Sequence, residues 1–146
     1  MRSDELSVVL YHRRQMFLDM GTNDPRVLDE IEQASQTLFG EALRNGTYLG
    51  WFAEAAGEVI AGGGVLLLPF QPSPREPRPV RPFIVNVYTE PPYRRQGLAR
   101  RLMKEMVEWC RVQGYAGVTL HASPEGRPLY EAMGFAPTNE MRLRFR

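Results

Sequence analysis

The chain has a single cysteine, Cys110, so no disulfide can form within it, and this fits a reducing interior. Its two histidines, His12 and His121, with no Cys/His cluster beside them, are too few for a metal centre, and no metal is expected. Lysine occurs once, at Lys104, and every other basic residue is arginine, which a genome-wide codon preference explains. No apolar run approaches the roughly 20 residues that a membrane span needs. The first residues, Met1-Arg2-Ser3-Asp4-Glu5, are polar, and no signal-peptide core follows them. The expected location is cytoplasmic, with no membrane partner.

What is present is ordinary for a globular protein: 146 residues, 43% hydrophobic and 24% charged, read as a single domain over 1–146. The net charge of +1 argues against a dedicated nucleic-acid binder. It conceals an asymmetry, however. Residues 1–58 carry five Arg against ten acidic residues, a net of −5, while residues 59–146 carry thirteen Arg or Lys against seven, a net of +6. The second part can therefore hold a local anion site.

Apolar residues Leu6, Val9, Leu10, Met16, Phe17 and Met20 recur at helical spacing, with Met16, Phe17 and Met20 expected against a sheet. Gly21 stops this helix. Asn23-Asp24-Pro25 caps a second one, with Val27, Leu28, Ile31, Ala34, Leu38 and Ala42 on one side, ending near Asn45-Gly46. Residues 48–55 and 59–68 read as two strands around a turn, with Gly62-Gly63-Gly64 marking a bulge or close backbone approach. Residues 69–82 hold six of the twelve prolines and form a stiff loop, placed where it could be plain surface or the rim of an acceptor site. Strand 83–89 follows, then a helix from Gly97 to about Gln113 with Leu98, Leu102, Met106, Trp109 and Cys110 inward. A strand over 117–122, a short helix over 125–133 and a terminal strand over 141–145 complete the pattern. Cys110 reads as inert core, and both histidines as surface or satisfied side chains, His12 on the polar side of its helix.

The chemistry concentrates in Pro91-Pro92-Tyr93-Arg94-Arg95-Gln96-Gly97-Leu98-Ala99, where a strand passes through a loop into a helix. The backbone N–H groups of residues 95–99 lack intrahelical partners, and such a terminus accepts phosphate. Gly97 presents no Cβ, Ala99 keeps the first turn open, and Arg94, Arg95, Arg100 and Arg101 supply guanidinium groups. Residues 91–113 carry six basic and two acidic side chains. The loop is neither an NTPase P-loop, having no Gly-Lys-Ser or Gly-Lys-Thr, nor a three-glycine dinucleotide loop.

The ordered set of Arg94-x-x-Gly97-x-Ala99 after a strand, a helix, a strand and then Leu129-Tyr130-Glu131-Ala132-Met133-Gly134-Phe135 resembles the GCN5-related N-acetyltransferase (GNAT) superfamily. The resemblance is strongest over 82–136. It implies a mixed α/β (α+β) fold, with a mostly antiparallel, splayed sheet and helices on both faces. It implies acetyl-coenzyme A as co-substrate, with Arg94, Arg95, Gln96, Gly97, Leu98, Ala99 and Arg100 at the pyrophosphate and Val87, Tyr88 and Thr89 along the pantetheine arm. Backbone N–H groups of that strand end would stabilise the oxyanion of acetyl transfer. Tyr130 would protonate the leaving thiolate as general acid. Glu90 or Glu54 is the candidate base, with nothing in the sequence to choose between them. Met16, Asp19 and Met20, beside the turn between the first two helices, are candidates for the acceptor pocket. The implied activity is acetyl transfer to a primary amine of a small molecule by direct attack in a ternary complex, with a homodimer as the family's usual assembly. A protein or peptide N-acetyltransferase and a non-catalytic acyl-coenzyme A-binding module share the same motifs.

Two departures stand out. The strand that usually precedes the first helix has no counterpart, which implies a shortened N-terminus or an edge covered by a neighbouring subunit. In place of the asparagine often found after the strand at 117–122 stands Ser123-Pro124-Glu125-Gly126-Arg127. There Ser123 would cap the helix or touch the pantetheine arm, and Arg127 would reach a phosphate.

Overall fold

A computed structural model of the chain describes residues 5–146. Residues 1–4, where a strand ahead of the first helix would stand, lie outside the described residues. Helix α1 (Glu5–Asp19) runs to Gly21, which adopts φ +98°. Helix α2 (Pro25–Asn45) begins as the sequence dictates: the Asp24 carboxylate accepts from the Arg26 N–H at 3.0 Å, and Pro25 occupies the first turn. Gly46 closes it in the left-handed conformation.

Strand β1 (Tyr48–Ala55) and strand β2 (Glu58–Pro69) form a hairpin whose two turn residues, Ala56 and Gly57, both have positive φ, at 52° and 80°. That geometry matches the right-handed twist of the strands. Strand β3 (Val80–Thr89), helix α3 (Leu98–Val112), strand β4 (Thr119–Leu120) and helix α4 (Arg127–Ala132) follow. The sheet has the order β1-β2-β3-β4, antiparallel except for the parallel β3–β4 pair. One face packs Val9, Phe39, Ala42 and Leu43 of α1 and α2 against Tyr48 and Leu66. The other packs Leu102, Met103, Met106 and Cys110 of α3 against Ala61, Val65 and Ile84. A central strand covered on both faces must be apolar along its covered length, as β2 is from Val59 onward.

The glycine triplet answers to both layers. A Cβ at Gly63 would lie 2.9 Å from Met106 Cε on α3. One at Gly62 would lie 2.9 Å from Phe52 and 3.1 Å from His12, and one at Gly64 would run into the Tyr48 ring. The expected bulge is present, but β3 supplies the extra residue: Gly62 pairs with Tyr88 and Gly64 with Val85, so Asn86 and Val87 stand opposite Gly63 alone.

Several expectations are corrected. On α2 the inward stripe is Leu28, Ser35, Phe39, Ala42 and Leu43, whereas Val27 and Leu38 are exposed, because α1 crosses α2 on the flank that carries Ser35. Met20 is exposed, and Phe17 lies between α1 and α2 rather than on the sheet. His12 is buried rather than on a polar face, packed among Tyr11, Phe52 and Tyr88. The strand over 117–122 shrinks to Thr119–Leu120, and residues 141–145 form no strand, leaving Met141, Leu143 and Phe145 exposed. Alternation alone does not make a strand when no neighbour offers a ladder.

The proline segment is shorter than expected, since Pro69 and Pro82 belong to strands and Pro82 is buried. It is also anchored. The Glu76 carboxylate accepts from Arg78 at 2.9 and 3.1 Å and from the Ala116 N–H at 3.0 Å, while Arg78 donates to the Gln113 carbonyl at 3.1 Å. These partners lie at the C-terminal end of α3, beside the start of β3. The loop therefore sits at the opposite end of β3 from Thr89.

Candidate functional site

The distinctive opening lies between β3 and β4. These strands pair only at Phe83 with Thr119 and at Ile84 with Leu120, while β3 continues beside β2 as far as Thr89. Beyond Ile84 one side of β3 has no strand neighbour among the described residues, and the strands part into a wedge. The Asn86–Val87 bulge lies within this stretch, with Asn86 at φ +62°. Of the expected arm-binding residues, Val87 turns its side chain toward the α3 core and Tyr88 toward α1, its ring centroid 5.1 Å from that of His12. What Val87, Tyr88 and Thr89 offer to the wedge is backbone.

At the C-terminal mouth of β3 the chain makes a short 3-10 turn, Pro91–Tyr93, and enters α3 through two left-handed residues, Arg95 at φ +64° and Gly97 at φ +81°. Left-handed and right-handed residues in close succession curl backbone N–H groups into a concave nest that attracts anions. Gly97 caps α3 without any side-chain hydrogen bond, and no heavy atom lies within 4 Å of where its Cβ would stand. The N–H groups of Leu98, Ala99 and Arg100 precede the first intrahelical acceptance, which is Arg101 N–H to Gly97 O at 3.1 Å. The side chains of Arg95, Arg100 and Arg101 are exposed and have no hydrogen bond or ion pair among the described residues. Gln96 donates to the Pro92 carbonyl at 3.5 Å. These features suit a pyrophosphate.

Arg94 differs from its neighbours. Its Nε donates to the Thr89 carbonyl at 2.8 Å, its Nη2 pairs with Asp19 at 2.7 Å, and its guanidinium lies 5.4 Å from the Tyr88 ring centre. It ties the loop to α1 and to the end of β3. Asp19, read as an acceptor-pocket candidate, is thereby committed to Arg94.

On the α3 face, Tyr130, like Val87, Leu98, Leu120 and Phe135, packs against the apolar cluster of α3 and the sheet, its ring meeting that of Phe135 edge-on at 6.1 Å. Its ring also lies over Gly126, where a Cβ would be 2.8 Å from it. Burial pushes the Tyr130 phenol up from its ordinary value, so it is a neutral donor at physiological pH. Ser123 accepts from the Gly126 N–H at 3.1 Å, capping the turn that leads into α4. Arg127 pairs with Glu131 at 3.2 Å on the surface.

The two candidate bases separate. Glu54 is exposed on edge strand β1, while the Glu90 N–H bonds to Ile60 of β2 at 2.8 Å, and its carboxylate enters a pocket of about 570 Å³. Val8, Tyr11 and His12 of α1, Glu58 to Ile60 of β2, and Pro92 and Tyr93 line this pocket with Ser7 and Glu90. Burial, followed by the Glu90 carboxylate, raises the Tyr11 hydroxyl above its ordinary value. Burial lowers His12 to about 4, so its imidazole is neutral. Met16 and Met20 do not line the pocket. Sequence reasoning missed Tyr11, His12, Glu58 and Tyr93, because only tertiary packing brings α1 beside the hairpin turn.

The acetyltransferase (GNAT) family matches residues 14–135. Among curated proteins the chain is 32% identical over 120 residues to the probable N-acetyltransferase family 8 member 5 of Mus musculus, covering 77% of this chain and 50% of that protein. The chain thus spans about half the length of that relative. Among solved structures it is similar to a GCN5-related N-acetyltransferase from Ralstonia eutropha JMP134, with 33% identity and a TM-score of 0.88 over 97% of this chain and 93% of that one. It is also similar to an acetyltransferase with acetyl-CoA from Clostridium acetobutylicum, with 26% identity and a TM-score of 0.88 over 99% of this chain and 92% of that one.

Proposed function

Since the chain belongs to the acetyltransferase (GNAT) family, we propose that it transfers an acetyl group from acetyl-coenzyme A to a primary amine of a small molecule, by direct attack in a ternary complex. The observation that carries this reading is the wedge between β3 and β4, with the uncapped N-terminus of α3 at its mouth. A long thioester with a polyanionic head needs that combination of an N–H cradle and an unused strand edge.

The nest at Arg95–Gly97, the first N–H groups of α3 and the Arg95 and Arg100 side chains hold the pyrophosphate. Arg94 holds the loop. The backbone of Val87 to Thr89 pairs with the pantetheine arm and donates to the acetyl carbonyl oxygen as negative charge develops there. Acetyl-coenzyme A supplies the acyl group: a C–N bond forms, the C–S bond breaks, the amine proton passes to a base and the departing thiolate takes one from a donor. Tyr130 is that donor. Glu90 is the base, directly or through water, because it borders both the cofactor strand and the pocket.

The pocket takes the acceptor. Glu58 and Glu90 suit a cationic amine, while Val8, Val59, Ile60 and the two tyrosines suit an apolar body. A screen for free-thiol release across cationic amines, neutral amines and peptide amines tests the proposal. Small cationic amines are expected to lead. Neutral acceptors in front would undo the charge argument, peptides in front would make the chain a protein acetyltransferase, and cofactor binding with no thiol release would make it a non-catalytic module.

A further inference from the structure

The bulge in β3 is held by two side chains, Arg13 and Tyr48. Asn86 at its corner is buried, with φ +62°. Its side-chain oxygen accepts from Arg13 Nη1 at 2.7 Å, and its Nδ2 donates to the Tyr48 hydroxyl at 3.2 Å. Arg13 is fixed in turn: its Nε donates to Ser35 Oγ at 3.1 Å, and its guanidinium carbon lies 4.9 Å from the Phe39 ring centre. Tyr48 stands on edge strand β1 and reaches β3 by crossing over Gly64 of β2, where any Cβ would collide with the phenol. Helices α1 and α2 and strands β1 and β2 therefore converge on one backbone position.

A sheet core needs no such arrangement, since apolar side chains would fill the same space without a half-buried guanidinium to satisfy. A fully satisfied polar network does what apolar packing does not: it selects one conformation among several. The conformation selected here is a left-handed residue in mid-strand, which asparagine tolerates better than most side chains. The dihedral angles at residue 86 set the direction of the next peptide unit, which carries the Val87 N–H.

We propose that Asn86 is a positioning residue for acetyl transfer: held by Arg13 and Tyr48, it fixes the corner that directs the Val87 N–H into the wedge between β3 and β4, toward the acetyl carbonyl. This rests on the acetyl-transfer reading above. The side chain itself touches no reactant and acts through the backbone donor that follows it. Because the phosphate cradle is built by residues 95–100, which the network does not touch, the network bears on turnover far more than on cofactor affinity.

The test compares the wild-type chain with the Asn86→Gly, Asn86→Ala and Tyr48→Phe variants in three measurements. These are steady-state thiol release with the best amine of the screen, thermal melting, and the carbonyl ¹³C resonance of bound acetyl-coenzyme A labelled at the acetyl carbonyl. Asn86→Gly keeps the left-handed region accessible but loses the hold, so kcat should fall about 10- to 100-fold, the scale expected of a misplaced reacting group. KM for acetyl-coenzyme A should stay within about twofold and the carbonyl resonance should move toward that of the free thioester. Tyr48→Phe should shift both in the same direction by less. Lower melting temperatures with kcat and the resonance unchanged would overturn the inference, by reducing the network to a fold support. Should Asn86→Ala fail to fold, the glycine and Tyr48→Phe variants still decide. A wild-type chain that binds no acetyl-coenzyme A would overturn the acetyl-transfer reading and this inference together, whereas binding with a variant-insensitive carbonyl would overturn this one alone.

Discussion

At Tyr130, burial would suit one side chain to the general-acid role proposed for it. Half-buried against the apolar cluster of α3 and the sheet, its hydroxyl makes no hydrogen bond among the described residues, and burial keeps it protonated. A phenol in that state can donate to a departing thiolate without giving up a hydrogen bond to the described residues. Tyr130→Phe removes the proton but keeps the ring against Phe135. Turnover should fall at least tenfold, within the 10²–10⁴ range of general-acid catalysis or just below it. Acetyl-coenzyme A affinity in a binding titration should be unchanged, and unaltered turnover would refute the assignment. Tyr130 could be picked out from the Leu-Tyr-x-x-x-Gly-Phe pattern. Asn86 could not, because the strand Phe-Ile-Val-Asn-Val-Tyr-Thr offers only one polar residue out of place, and its partners Arg13 and Tyr48 lie 73 and 38 residues away.

At the scale of the element, the entry to α3 depends on two residues with positive φ. Gly97 has open space around its Cβ direction, so a side chain there meets strain and the incoming ligand, not a neighbour. Gly97→Val should cost about 1–2 kcal/mol of stability, the penalty of a left-handed conformation for a residue with a Cβ. It should weaken acetyl-coenzyme A binding at least tenfold in a titration, and undiminished binding would remove the loop from the phosphate site. This element was legible because its signals are local: prolines end the strand, a glycine opens the helix, and arginines cluster around both. Residues 141–145 had an equally local signal in their alternation, yet formed no strand. A strand needs a partner edge, and no local pattern supplies one.

At the scale of the whole molecule, two buried ionisable groups tie the fold to pH. His12 is lowered to about 4, below its ordinary 6.5, so the unfolded chain binds a proton there more readily than the folded one. Its contribution is full above about pH 6.5 and is lost as pH falls toward 4, on the order of 2 kcal/mol after allowance for solvent screening. Glu76 is lowered to about 2, chiefly by its hydrogen bonds to Arg78 and then to the Ala116 N–H. Its contribution is full above about 4.5 and is lost as pH falls toward 2. Denaturant titrations between pH 8 and pH 2.5 should show both stages, and His12→Gln should remove the first and spare the second. An identical profile for that variant would contradict the burial argument.

The sequence by itself determined most of the elements, the loop into α3 proposed as an anion cradle and the family resemblance, because each rests on residues close together along the chain. It also set the opposed charges, −5 over residues 1–58 and +6 over 59–146. Only the tertiary structure decided which carboxylate shares a pocket, that His12 is buried, that the proline segment is clamped at the far end of β3, and that Arg94 serves as a strut. Those facts depend on contacts between segments distant in sequence, such as Arg94 with Asp19 and Glu76 with Ala116. Such pairings arise from how two layers of helices close on a sheet, a constraint that no single stretch of chain carries.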